Sequence, residues 1–182
     1  MRTAANASLT AFQPKLPVKL LFICTHNRCR SILAEAIATE VGGNFLQAAS
    51  AGNEPSGEIH PLTLRSLKRH SIPANNLRSK SVTELEAFSP DFVITVCDKA
   101  TAEPCPLWPG KTRPLHWGLS DPSALATDEA GSEQAFDQTI ATLTTRLKWL
   151  RAGVEQGLDL QGLVMLISAL ADTKPQPLSA QN

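Results

Sequence analysis

The chain has 182 residues, 42% of them hydrophobic, and carries 17 Lys+Arg against 17 Asp+Glu. That length supports one domain with a sizeable core, and the balanced charge argues against a nucleic-acid or membrane-surface partner. No apolar run reaches the roughly 18–20 residues of a membrane span, and four cysteines in a chain this long suit thiol chemistry in the cytoplasm better than a secreted disulfide scaffold.

Residues 1–17 are rich in Ala, Thr and Asn, contain two prolines and lack the apolar core of a signal peptide. They read as a mobile leader, with a short arm docked around Phe12 as the alternative. Residues 18–23 form an apolar run suited to a buried parallel strand. A polar loop follows, and a helix begins at Ser31, with Leu33, Ile37 and Val41 on one face and Gly42-Gly43 as its stop signal. Residues 44–50 read as a second strand, closed by a turn at Ser50-Ala51-Gly52. A Pro/Gly loop spans 54–58, and His60-Pro61 opens a second helix with Leu64, Leu67 and Ile72 on its apolar side.

Arg78-Ser79-Lys80-Ser81 precedes a short helical stretch over 82–87, which Pro90 ends. The β-branched run 91–96 is the third strand, with Cys97 at its end. Residues 98–110 form a loop with three prolines and Cys105, and 113–117 make a short fourth strand with Asp121-Pro122 just beyond it. From Ser132 the residues Phe136, Ile140, Leu143, Leu147, Leu150 and Val154 recur at helical steps, a core stripe. Residues 160–171 read as a terminal helix and 173–182 as a polar tail, so the folded domain is expected over 18–172. Strands alternating with helices predict one α/β domain, a parallel sheet with helices on both faces in a flavodoxin-like arrangement. In such sheets the site lies beyond the carboxyl ends of the strands. Cys24, Cys97 and Asp121 all fall at that edge.

The stretch Cys24-Thr25-His26-Asn27-Arg28-Cys29-Arg30-Ser31 carries the chemistry. A loop running onto a helix N-terminus aims free backbone N–H groups at one spot, where the helix dipole is also positive. A tetrahedral oxyanion such as phosphate or arsenate fits there. Cys24 shares that field, which favours its thiolate, and Arg30 offers a planar fork to two of the anion's oxygens. Thr25, His26, Arg28 and Cys29 contribute chiefly backbone N–H groups. Asn27 braces the loop, since Asn tolerates unusual dihedrals. Ser31 has two compatible roles, helix N-cap and hydroxyl partner of the thiolate. Cys29 reads as a small buried residue behind the loop. The cysteine spacings do not match the C-x2-C pairs of zinc sites, so no metal site is expected from them, and His60 and His116 read as helix-start and strand residues.

This loop resembles the C-x5-R-S loop of low-molecular-weight protein tyrosine phosphatases and of the arsenate reductases that share their fold. For Cys29 the resemblance adds the alternative of a protective disulfide with Cys24. Ser120-Asp121-Pro122-Ser123 resembles the family's Asp-Pro loop, which implies that Asp121 is the general acid. The likeness runs from about residue 18 to about residue 154 and implies four parallel strands. It also implies a choice between two enzymes. A phosphatase hydrolyses the thiophosphate formed on Cys24; a reductase needs two electrons from thiols. Phosphotyrosine enzymes of the family clamp the substrate ring with aromatic residues near the Asp-Pro loop. This chain has no tyrosine, which leaves Trp108 and Trp117 as the aromatic candidates. Cys97 and Cys105 bracket a segment that resembles the redox loop of thioredoxin-coupled arsenate reductases, displaced by about one residue in spacing. The resemblance therefore implies arsenate reductase with a Cys24, Cys97, Cys105 relay and thioredoxin or glutathione/glutaredoxin as donor. It also implies a potassium ion near Asn27 and Glu35. The phosphatase is the first alternative, and a non-catalytic oxyanion binder or thiol sensor the second.

Overall fold

A computed structural model describes residues 13–98, 106–125 and 128–173. The sequence expectations for most of the leader, for residues 99–105 including Cys105, and for nearly all of the polar tail lie outside these residues. The strands are β1 (Val18–Cys24), β2 (Leu46–Gly52), β3 (Phe92–Thr95) and β4 (Leu115–His116). The helices are α1 (Arg30–Gly42), α2 (Pro61–Arg69), α3 (Glu129–Glu155) and α4 (Leu160–Leu170), with a 3₁₀ helix at Val82–Phe88.

The four strands form one parallel sheet in the order β2-β1-β3-β4. β1 is central, buried at every position but Lys19, as its uninterrupted apolar run requires. Its side chains alternate between two layers. Leu20, Phe22 and Cys24 join Leu33, Ile37, Leu67 and the α3 and α4 stripes in the larger core. Leu21 and Ile23 join Ala49, Ala51, Val93 and Val82 of the 3₁₀ helix in the smaller one. The chain leaves β1 toward β2 through α1, then crosses back past β1 to β3. The strand order reverses between β1 and β3, which is where an open α/β sheet leaves a crevice.

Several boundaries differ from expectation. β4 keeps only Leu115–His116 of the expected 113–117, and β2 keeps Ser50, Ala51 and Gly52 inside the strand, Gly52 paired with Cys24, where the strand was expected to close in a turn. Leu64 is 41% exposed, so Leu67 is the fully buried apolar anchor of α2, and Ile72 lies past the helix end, beyond Ser71 at φ 55°. α3 begins at Glu129, capped by the Asp128 side chain, which accepts from Gly131 N. Its stripe from Phe136 to Val154 is buried throughout, as predicted.

Trp117 is fully buried, its ring 6.2 Å from that of Phe22 and its Nε1–H donated to Ile167 O at 2.8 Å. It belongs to the core and cannot clamp a substrate ring. Trp108 packs half-buried against the smaller core. Of the two tryptophans, Trp117 is therefore removed as the aromatic rim that a tyrosine phosphatase would need.

Candidate active site

Cys24 is the last residue of β1 and α1 starts six residues later at Arg30. The intervening residues wrap tightly because two positions permit it. Asn27 adopts φ 46°, a left-handed conformation that Asn accepts better than most residues. Gly52, beside Cys24 in the sheet, leaves room for the loop: a Cβ there would stand 2.6 Å from Thr25 O and 3.0 Å from Asn27 N.

The carbonyls of Thr25, His26 and Arg28 are turned outward. Thr25 O accepts from Glu54 N at 3.0 Å, and His26 O from Ser56 N at 3.0 Å. Arg28 O accepts from His60 N at 3.1 Å and from Thr63 Oγ1 at 3.0 Å. In a trans peptide the C=O and N–H point in opposite directions, so the N–H groups of His26, Asn27 and Cys29 are turned toward the inside. Asn27 N already donates to Cys24 Sγ at 3.2 Å. No side chain caps α1, which leaves its first-turn N–H groups for an anion. Thr25 Oγ1 is buried with no partner among the described residues, a further hydroxyl next to Cys24 in the chain.

Cys24 is 3% exposed, and its Sγ lies 2.9 Å from Ser31 Oγ. Ser31 sits inside α1 and does not cap it, so of its two expected roles only that of thiol partner has a geometric basis. Asn27 Nδ2 donates to Ser31 Oγ at 2.8 Å and to Ser50 Oγ at 2.9 Å, and Asn27 Oδ1 accepts from Lys80 N at 2.7 Å. The brace expected of Asn27 is thus made entirely by its side chain. Glu35 accepts from Ser50 Oγ at 2.5 Å and from Lys80 Nζ at 3.0 Å. The Lys80 ammonium thus lies against Glu35, the residue near which the resemblance implied a potassium ion. Lys80, Ser50 and Gly52 are site-building residues that the sequence reading did not single out.

Arg30 is 3% exposed. It donates from Nη1 to Leu119 O at 3.2 Å and faces Asp121 Oδ2 from Nη2 at 3.5 Å. Asp121 is fixed from its other oxygen, since Oδ1 accepts from Ser123 N at 2.9 Å and Ser123 Oγ at 2.7 Å. Cys29 is 2% exposed, and burial pushes its thiol up, against the hydrogen bonds of Thr63 and Ser123. That environment matches the small buried residue better than a reactive thiol. His26 is exposed and Arg28 half-buried at the rim.

Cys97 is fully buried two residues past β3. The ladder continues beyond β3 with Val96 N donating to Ile23 O at 2.9 Å, so Cys97 stands at the carboxyl edge beside the end of β1. The other two histidines considered are structural. His60 Nδ1 accepts from Leu62 N at 3.2 Å and caps α2, its ring stacked on Phe136, and burial together with Arg28 lowers its pKa from the ordinary value. His116 Nδ1 lies 2.9 Å from Thr95 Oγ1 within the sheet. A separate cavity of about 360 Å³ lies between the 118–120 segment, α3 and Asp172, and no residue of the Cys24 loop lines it. Among the described residues no cluster of three His, Cys, Asp or Glu is arranged to hold a metal.

The arrangement gathers a buried thiol, a guanidinium and, 3.5 Å from that guanidinium, an oriented carboxyl around a loop whose N–H groups turn inward. It suits in-line attack at a tetrahedral centre followed by protonation of the leaving oxygen. The family model described as low molecular weight phosphotyrosine protein phosphatase matches residues 19–159. An arsenate reductase of Bacillus subtilis is 31% identical over 129 residues, 71% of this chain and 91% of that protein. The crystal structure of an arsenate reductase from Archaeoglobus fulgidus aligns with TM-score 0.61 at 26% identity, covering 73% of this chain and 98% of that one. A thioredoxin-dependent arsenate reductase of Corynebacterium glutamicum aligns with TM-score 0.56 at 30% identity, covering 77% of this chain and 63% of that one.

Proposed function

The chain belongs to the low molecular weight phosphotyrosine protein phosphatase family, and on that premise we propose that it is an arsenate reductase. The observation that carries the choice within the family is Cys97, a second thiol at the carboxyl edge of β3 beside the strand that ends in Cys24. Hydrolysis of a phosphoester needs no such group, and the burial of Trp117 removes one candidate for an aromatic clamp.

Arsenate enters the cradle as an anion held by the inward N–H groups and Arg30. The Cys24 thiolate attacks arsenic, an As–O bond breaks, and Asp121 gives its proton to the oxygen that leaves as water. Once Cys24 is a thiolate, the Ser31 hydroxyl, 2.9 Å away, donates to its sulfur before attack. Cys97 as thiolate then attacks Cys24 sulfur. The S–As bond breaks with its electron pair passing to arsenic, so As(V) becomes As(III) and leaves as arsenite. Two thiols are oxidised to a Cys24–Cys97 disulfide, which balances the two electrons. Cys105 attacks Cys97, frees Cys24 as thiolate and leaves a Cys97–Cys105 disulfide for an external dithiol such as thioredoxin to reduce. Glutathione with glutaredoxin is the other donor to compare. A reducing compartment, the cytoplasm, suits such a cycle; no described helix is long and apolar enough to cross a membrane.

The test is arsenite production from arsenate with thioredoxin and its reductase, beside glutathione plus glutaredoxin, and beside release of phosphate from an aryl phosphate with no thiol present. Arsenite formed only with a thiol donor supports the reductase. Thiol-independent phosphate release without arsenite would make the phosphatase the correct reading. Binding of oxyanion without either product would leave a binder.

A further inference from the structure

We propose that Lys80 is a positioning residue for the Cys24 nucleophile, acting through Glu35 and a one-way chain of hydrogen bonds. This rests on the reading of Cys24 as nucleophile. The direction of the chain follows from donor counting. Asn27 Oδ1 accepts the Lys80 backbone N–H, so the side-chain amide presents its NH₂ to Ser31 and Ser50, and both hydrogens are used. Ser50 Oγ accepts from Asn27 and gives its own proton to the Glu35 carboxylate, which can only accept while ionised. Ser31 Oγ likewise accepts from Asn27, which leaves its own proton available to Cys24 Sγ, 2.9 Å away. The Lys80 backbone N–H thus orients the Asn27 amide toward both serines, one beside the sulfur and the other on Glu35.

That device has a cost which Lys80 removes. Glu35 is mostly buried, its side chain 13% exposed, in the same helix that opens the anion-binding loop. A bare carboxylate there would oppose both a thiolate at Cys24 and a bound dianion, because charges act over longer range in a poorly solvated site. The Lys80 ammonium, 7% exposed, lies 3.0 Å from Glu35 Oε2 and also donates to Arg78 O at 3.0 Å, so the two charges cancel locally. Among the described residues, the other charged groups around the loop include Arg30 from α1, Asp121 from the loop beyond β4, and Arg28, which with Asp121 acts on the neighbouring Cys29. The same residue thus fixes the Asn27 amide through its backbone and the Glu35 charge through its side chain.

The experiment reads Cys24 without requiring turnover. Wild type, Lys80→Met, Lys80→Arg and the Lys80→Met/Glu35→Gln double variant are alkylated with iodoacetamide at neutral pH, with and without inorganic phosphate, and Cys24 labelling is followed by peptide mass spectrometry. Lys80→Met should slow labelling and weaken phosphate protection, each by about tenfold, the scale of one uncompensated charge. Lys80→Arg, which keeps the charge, should stay near wild type. The double variant should recover most of both losses, since its neutral amide lacks the charge that Lys80 cancelled and still accepts from Ser50. Unchanged labelling in Lys80→Met, an equal loss in Lys80→Arg, or a double variant no better than the single would overturn the proposal and leave Lys80 as loop packing. Wild-type Cys24 that labels no faster than Cys29 would overturn the underlying assignment of the nucleophile instead.

Discussion

Arg30 Nη2 stands 3.5 Å from Asp121 Oδ2 while Asp121 Oδ1 is held by both the amide and the hydroxyl of Ser123. One carboxyl oxygen is therefore anchored and the other faces the cradle. This is the orientation a proton donor needs, because the anchored oxygen fixes where the proton-bearing one points.

Asp121→Asn should slow arsenate turnover by about 10²–10⁴, the usual worth of a positioned general acid. Asn keeps the acceptor oxygen for Ser123, so the loop stays in place. Oxyanion affinity, measured by phosphate competition, should change little. Unaltered turnover would make Asp121 a turn residue only.

Gly52→Ala should harm the site more than the fold. The added Cβ would meet Thr25 O at 2.6 Å and Asn27 N at 3.0 Å, both backbone atoms with nowhere to rotate. A loss of stability of about 1–3 kcal/mol in urea unfolding is expected, together with at least a tenfold loss of phosphate protection as the loop N–H groups shift. Full retention of phosphate binding would show that the loop relaxes around a Cβ and that glycine is not required there.

His60 gives the fold a pH dependence of definite sign. Its ring is neutral when folded, because burial and Arg28 both disfavour the charge and Nδ1 must accept the Leu62 N–H. The folded pKa lies below the unfolded value of 6.5, so the unfolded chain takes up the proton first on acidification. The contribution to stability is full above pH 6.5 and is lost as pH falls through the folded value. Urea unfolding at about pH 7.5 and about pH 5 should show a smaller acid loss in His60→Asn, which keeps an N-cap acceptor but cannot titrate. Equal acid loss in both proteins would place the pH sensitivity elsewhere.

Much of this site could be read from sequence because its chemistry is local. Cys24, Arg30 and Ser31 sit within one strand-loop-helix unit, and the α3 stripe follows one period over its whole length. What could not be read depends on partners remote in the chain. Lys80 meets Glu35 across 45 positions, and nothing in Arg78-Ser79-Lys80-Ser81 marks that lysine as buried. Ser50, Ala51 and Gly52 have the composition of a turn, yet seven-residue pairing with β1 holds them as strand. Trp117 has the residue type of either a rim or a core, and only its packing on Phe22 decides.

The Cys97 and Cys105 thiols separate the reductase from the phosphatase most sharply. Cys97 is fully buried at the edge of the sheet, so attack on Cys24 must occur inside the protein, sheltered from competing thiols. A disulfide left there could not meet a protein donor directly. Cys105 is the next thiol in the chain, eight positions on, and a disulfide with Cys97 needs the two Cα atoms within roughly 4.4–6.8 Å. Transfer to Cys97–Cys105 would restore Cys24. Mass spectrometry after a single arsenate turnover should find Cys97 linked to Cys105 in the wild type. Cys105→Ser should accumulate Cys24–Cys97 after one equivalent of arsenite, and Cys97→Ser should stop with arsenic still on Cys24. Cys24→Ser should form no arsenic adduct, because a serine hydroxyl has no accessible anion at neutral pH. If the Cys97 and Cys105 variants both cycle normally with thioredoxin, the two thiols are bystanders. Reduction would then have to come from an external thiol acting directly on the Cys24 adduct, and glutathione would become the donor to test.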